Sequence, residues 1–207
     1  MIIINLKTYK TLKENLKLAK KIEKASSRIM IAAQPSDICL LVKNIKNPII
    51  AQHVDPIEPG RNTGFITAKS IKEAGAIGTF LNHSEHKLKF KDIKNAIGIC
   101  KRLKLKTIAF ATNIKEGKAI SKLKPDYIVI EPKELVAGNI SISKVKPNLI
   151  KESVNDIRGN ILVGAGIKTA EDVKLAKKLG AKGIVASHNV VKSKNPSKLL
   201  KSWIKLF

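Results

Sequence analysis

The sequence predicts a (β/α)8 barrel, compact and with shortened helices, on three observations. Eight short runs rich in β-branched and aliphatic residues recur along the 207 residues, and a segment of helical period follows each. The runs are near-continuous apolar stretches rather than alternating ones, as parallel strands buried on both faces require. Eight such units in so short a chain fit a closed barrel better than a doubly wound sheet. No low-complexity segment or linker interrupts them, so one barrel domain spanning 1–207 is expected.

In chain order, the strands are expected at 2–5, 29–33, 48–52, 78–82, 107–111, 127–131, 161–164 and 182–187. The first helix is signalled by Leu12, Leu16, Ala19 and Ile22 on one face, with Lys13, Lys17, Lys20 and Lys24 on the other. Between 30 and 49 there is room for only one short helix. Ile93, Ile97, Cys100 and Leu103 mark an apolar helical stripe before the fifth strand, and Val173, Ala176 and Leu179 mark another before the eighth. The latter has both ends written into it. Thr169 is an N-cap with Glu171 and Asp172 in the first turn, and Gly180 closes the helix.

Composition excludes several classes. Hydrophobic residues make up 43% and mean hydropathy is −0.06, values of an ordinary globular chain, and no apolar run approaches the ~20 residues of a bilayer span. Lys7 and Lys10 cut off the opening apolar run too early for a signal peptide, and Cys39 and Cys100 are too few for a disulfide framework. A cytoplasmic protein with free thiols and no membrane association is expected. The net charge of +24 suggests a polyanion partner at first sight. Against that, 36 of the 40 basic residues are Lys and only Arg28, Arg61, Arg102 and Arg158 are Arg, which planar phosphate and base recognition favours. Aromatics are 4%, leaving little to stack bases on, and the lysines fall on polar helix faces. A solvated lysine coat without specific nucleic-acid binding is the reading these facts support.

In this fold the chemistry sits at the C-terminal ends of the strands. The first strand ends in Asn5, with Lys7 two residues on; the fourth ends in Asn82-His83-Ser84-Glu85; the sixth ends in Glu131-Pro132. The seventh ends in Gly164-Ala165-Gly166 and the eighth in Ser187-His188-Asn189. Alone, Lys7 reads as another surface lysine, His83 as a structural histidine, and a glycine-rich turn as a turn. Glu131 is less easily dismissed, because a carboxylate ending the buried run Ile128-Val129-Ile130 is costly unless paired or used. All five features fall at one end of the alternating elements, which strand assignment from hydrophobicity did not require.

These residues resemble, over essentially the whole length, the triosephosphate isomerase family and its compact archaeal branch. The matching segments are NLKTYK (5–10), AQHVDPIEPGRNTG (51–64), GAIGTFLNHSEH (75–86), PDYIVIEPKEL (125–135) and ILVGAGI (161–167), with the turn after the eighth strand. The resemblance implies isomerisation of dihydroxyacetone phosphate and glyceraldehyde 3-phosphate, in glycolysis and gluconeogenesis, without metal or cofactor. It implies Glu131 as the base, neutral His83 as hydrogen-bond donor to an enediolate, and Lys7 as the positive charge, with Asn5 orienting and Glu85 near the lysine. A helix N-terminus in the segment 84–87 is expected to keep His83 neutral. The phosphate would be held by Ala137, Gly164, Ala165, Gly166, Ile167, Ser187 and His188, under a lid at 132–140 that excludes water.

Three places depart from the family pattern. The lid's usual Gly-Thr-Gly-like hinge is Ala137-Gly138-Asn139, the archaeal Ala-Ser-Gly after the eighth strand is Ser187-His188-Asn189, and a usual cysteine is replaced by Phe110, read as a packing change. The loop around Asn62-Thr63-Gly64 resembles one that inserts into a neighbouring subunit, implying a homo-oligomer, dimer or tetramer. Two rivals remain: another phosphate-binding barrel enzyme, such as an indole glycerol phosphate synthase relative, and a non-catalytic basic protein that binds polyanions.

Overall fold

In the computed structural model, residues 1–132, 135 and 141–207 are described. Eight parallel strands close on themselves in sequence order: β1 (Ile2–Asn5), β2 (Met30–Ala33), β3 (Ile49–Ala51), β4 (Gly78–Leu81), β5 (Lys106–Ala111), β6 (Tyr127–Ile130), β7 (Ile161–Val163) and β8 (Gly183–Ala186). The seam is sealed by Ile2, Ile3 and Ile4 of β1 pairing with Ile184, Val185 and Ala186 of β8. All eight expected strands are present, each trimmed or shifted by no more than two residues at an end. Of the residues trimmed from the C-terminal ends, Glu131 and Ser187 line the mouth, while Asn82 and Gly164 stand beside it.

Around the barrel run α1 (Leu12–Glu23), α2 (Pro35–Asn44), α3 (Ala68–Glu73), α4 (Phe90–Arg102), α5 (Ile114–Ser121), α6 (Ile142–Val145), α7 (Pro147–Asp156), α8 (Ala170–Lys178), α9 (His188–Val191) and α10 (Pro196–Ile204). α8 begins with a full capping box between Thr169 and Asp172, and Gly180 follows its end with φ 96°. The face that α1 buries differs from the expected one. Asn15, Leu18, Ala19 and Ile22 are buried while Leu12 is 49% exposed. The cause is polar: Asp37 of α2 accepts from the Leu12 amide (2.9 Å) and from Asn15 Nδ2 (2.6 Å), which rotates α1 so that Asn15 faces inward.

Strand alternation splits the core in two. Ile3, Met30, Ala32, Ile50, Phe80, Ile108, Phe110, Val129, Leu162 and Val185 fill the barrel interior, while the intervening residues pack against the helices. Two residues beyond Ile3, Val129, Leu162 and Val185 stand Asn5, Glu131, Gly164 and Ser187. The same period that packs the interior therefore points those positions inward at its C-terminal rim.

The opposite rim has its own backbone pattern. Five turns that carry a helix into the next strand contain a residue with positive φ. Three are Gly75, Gly159 and Gly180; the two between α4 and β5 and between α5 and β6 are Lys104 (57°) and Lys124 (54°). A side chain in that region is disfavoured by roughly 1–2 kcal/mol.

Candidate active site

A cavity of about 140 Å³ opens at the C-terminal rim, with Asn5, Lys7, His83, Glu131, Gly166 and Ser187 in its wall. Its volume suits a small polar molecule. Glu131 follows β6 directly; its amide is tied to the Ala111 carbonyl (2.9 Å), and the residue is only 7% exposed. His83 stands across from it with Nε2 3.4 Å from Glu131 Oε2. Ser84 Oγ donates to the same oxygen at 3.0 Å.

Burial pushes the Glu131 carboxyl up to about 7, against the Ser84 hydrogen bond and the Lys7 charge, which both favour ionisation. Burial pushes His83 the other way, down to about 4, helped by the positive charges of Lys7 and Lys87. The expected helix N-terminus is not the cause, since Ser84–His86 forms a turn closed by the His86 amide on the His83 carbonyl (2.8 Å). That turn does fix the tautomer. The Glu85 amide donates to His83 Nδ1 (3.1 Å), so Nδ1 is the acceptor and the proton sits on Nε2, facing Glu131. Phe110 is more than distant packing: its ring meets the His83 ring edge-on with centroids 4.7 Å apart, and so helps to desolvate the imidazole.

Lys7 has φ 48°, a conformation held by its own amide donating to Asn5 Oδ1 (2.9 Å) and by Gln52 Nε2 donating to its carbonyl (3.0 Å). Its ammonium donates to Glu85 Oε1 at 2.5 Å, so the charge is aimed before any ligand arrives. Behind His83, Asn82 (φ 58°) donates to the Phe110 carbonyl (2.9 Å) and to Glu116 Oε1 (2.8 Å). Lys87 binds the same Glu116 oxygen at 2.5 Å. Burial would raise the Glu116 carboxyl, but the bonds from Lys87, Thr112 and Asn82 hold it below its ordinary value. It thus stays ionised and clamps the β4 and β5 loops together.

The glycine-rich turn divides its labour. The Gly164 amide belongs to the barrel, donating to the Ile130 carbonyl (3.0 Å), and Gly164 is not in the cavity wall. What it supplies is space: a Cβ there would stand 2.8 Å from Glu131 Oε1 and 3.2 Å from Val129 Cγ1. Ala165 (φ 75°) and Gly166 (φ 67°) then turn the chain, and with Ile167 they line the cavity. Among the described residues, the amides of Ala165, Gly166, Ile167 and Ser187 have no hydrogen-bond acceptor. Successive free amides in such a turn make an anion-binding concavity.

Ser187 and His188 also line the cavity, and Asn189 Nδ2 donates to the Ile167 carbonyl (3.2 Å), tying the two turns together. Ala137 and the hinge Ala137-Gly138-Asn139 lie outside the described residues. Two wall residues had no role assigned from sequence, Tyr9 and Lys168. Tyr9 sits with its ring 6.0 Å from that of His188 and beneath the Lys192 ammonium at 5.2 Å. Its position two residues after Lys7 was the only available signal. Ser84 was visible merely as the residue beside His83.

A carboxyl raised toward neutrality, a neutral N–H donor and a fixed ammonium around one small cavity are the parts needed to move a proton next to a carbonyl. The adjoining free amides suit a phosphate. The family model described as triosephosphate isomerase matches residues 1–203. The triosephosphate isomerase of Methanocaldococcus jannaschii is 41% identical, over 99% of both chains. That of Methanothermus fervidus is 36% identical over 99% of this chain and 97% of its own, and that of Saccharolobus solfataricus 39% over 99% and 94%. The solved triosephosphate isomerase of Bartonella henselae superposes with a TM-score of 0.75 at 15% identity, covering 99% and 97% of the two chains, a likeness of fold.

The raised Glu131 value has a stability consequence. An acid that holds its proton more tightly when folded is destabilised by ionising, so the penalty is absent below about pH 4.5, grows through the interval and is complete above about pH 7. Glu131→Gln removes an ionisation penalty of up to roughly 3 kcal/mol. Its thermal midpoint should exceed that of the wild type by roughly 5 °C or more at pH 8, with the gap closing toward pH 4. Calorimetry at the two pH values checks this, and an equal gap at both would contradict it.

Proposed function

The chain belongs to the triosephosphate isomerase family, and from that premise we propose how its own residues carry the reaction. The enzyme interconverts dihydroxyacetone phosphate and glyceraldehyde 3-phosphate. The observation that carries the assignment of roles is the 3.4 Å pairing of Glu131 with His83, whose burial moves the carboxyl up and the imidazole down.

The substrate's two reacting carbons lie between these groups. The Glu131 carboxylate takes the proton from the carbon beside the carbonyl, the electron pair moves to the carbonyl oxygen, and an enediolate forms. His83 Nε2–H donates to the enediolate oxygens, and being neutral it does so without creating a competing ion pair with Glu131. Lys7 meets the developing negative charge, with Asn5 holding its loop. The hydroxyl proton passes from one enediolate oxygen to the other, which His83 Nε2 spans, and protonated Glu131 returns the carbon-bound proton to the neighbouring carbon. The amides of Ala165, Gly166, Ile167 and Ser187 hold the phosphate, His188 stands at its edge, and Gly164 keeps room for the carboxylate. The Ala137 amide and a lid at 132–140 beginning at Pro132 would close over it, excluding the water that would solvate the base and release phosphate from the intermediate. Glycolysis and gluconeogenesis are the pathways in which this interconversion is proposed to serve.

A homo-oligomer, dimer or tetramer, is proposed on the likeness of the loop around Asn62-Thr63-Gly64 to a subunit-crossing loop. Phe65, 56% exposed at its end, supports it as an apolar group that association would cover. The thiols of Cys39 and Cys100 are free, which suits a cytoplasmic setting, and among the described residues no helix is long and apolar enough to cross a membrane.

A coupled assay should show turnover of both triose phosphates, with kcat/KM falling as pH drops through about 7 because Glu131 becomes protonated. Glu131→Gln should lower kcat on the order of 10³-fold or more with the circular dichroism unchanged. Folded wild type inactive on both substrates would refute the reading. For the assembly, light scattering should report a multiple of the 22.7 kDa chain that Phe65→Asp reduces; a wild-type monomer would contradict it.

A further inference from the structure

The rim opposite the mouth carries a second feature that the isomerase reaction does not use. At the N-terminal ends of β5 and β6, Lys101, Lys104, Lys106 and Lys124 surround an open depression. Two of these lysines are the ones in left-handed backbone, where the comparable turns before β4, β7 and β8 have glycine. The two non-glycine turns are adjacent and face the same depression, and each puts an ammonium there in place of the residue the backbone favours. Lys106 adds a third as the one exposed residue of an otherwise buried strand.

Charge accounting points the same way. The depression's single carboxylate, Asp126, is exposed at its wall, and its Oδ2 is already engaged, accepting from the Thr107 amide (2.8 Å) and hydroxyl (3.0 Å). Among the described residues no acidic side chain pairs with Lys104, Lys106 or Lys124. Lys101 is anchored on the Leu123 carbonyl (2.9 Å), which fixes its charge at the edge. Four ammoniums against one carboxylate leave a surplus of positive charge that a single phosphate dianion does not neutralise, which favours linked phosphates. Half-buried Tyr127 and exposed Asn160 complete the wall, an aromatic face and an amide beside the charges.

We propose that this depression binds a run of closely spaced phosphates, as in inorganic polyphosphate or the triphosphate of a nucleotide, at a site separate from the catalytic mouth. The probe is sodium tripolyphosphate, titrated into the full-length protein at fixed ionic strength and followed by calorimetry and amide chemical shifts. Saturable binding should move the Lys104, Lys106, Lys124 and Asn160 amides. The double substitution Lys104→Gly/Lys124→Gly suits the left-handed turns, so the fold and kcat/KM should be preserved while affinity falls at least tenfold. The comparison protein is Lys17→Gln/Lys21→Gln, which removes two charges from α1 and should bind as the wild type does. Equal loss in both variants, no loss in the first, or shifts confined to the mouth would each overturn the site. With the site confirmed, ATP binding tighter than tripolyphosphate identifies a nucleotide, its base against Tyr127; equal or weaker binding identifies the inorganic chain.

Discussion

A carboxylate buried at the rim of a parallel barrel, opposite an imidazole forced to stay neutral, is the constraint on which the site depends. Glu131 and His83 are each desolvated, and desolvation acts on them in opposite directions because one gains charge by losing a proton and the other by gaining one. Were either in water, the carboxyl would be too weak a base and the imidazole partly protonated and ion-paired. Lys7 sits close enough to press on both, favouring the carboxylate and disfavouring the imidazolium. Its tie to Glu85 fixes where that charge is.

The surroundings follow from holding that pair in place. Strand alternation, which fills the interior with Ile3, Phe80, Val129 and Leu162, also delivers Asn5 and Glu131 inward one step further along. Gly164 is glycine because the carboxylate occupies the volume its Cβ would need. Lys7, Asn82 and Ala165, three non-glycine residues of positive φ, mark the loops after β1, β4 and β7. Two of those bends are held by side-chain bonds, from Lys7 to Asn5 and from Leu88 to Asn82 Oδ1. Strain of this kind beside the mouth is one way a fold built for stability holds a reactive arrangement.

The barrel and the convergence of Lys7, His83 and Glu131 were legible in the sequence because both rest on period and position. Hydrophobic runs fix strands, and strand ends fix the mouth. What escaped depends on distances that no pattern encodes. The neutrality of His83 was expected from a helix terminus, whereas burial, Lys7 and Lys87 produce it, and the Glu85 amide selects its tautomer. Phe110, read as packing, touches the histidine, and the rotation of α1 toward Asn15 depends on an Asp37 that hydrophobic spacing ignores. Gly164 was read as part of a phosphate cradle, but its amide is used by the ladder. The lysine coat shows the same limit, since only the backbone reveals that Lys104 and Lys124 stand at left-handed turns facing one depression.

The most direct test of the coupled pair is a titration watched at the residues themselves, by ¹³C shifts of the Glu131 carboxyl and ¹⁵N shifts of the His83 ring in the ligand-free protein. The Glu131 carboxyl should titrate with a midpoint near 7, while His83 stays neutral with its proton on Nε2 down to about pH 4. A Glu131 midpoint near 4.5, or a His83 ring that becomes protonated near pH 6.5, would contradict burial as the force that sets the site.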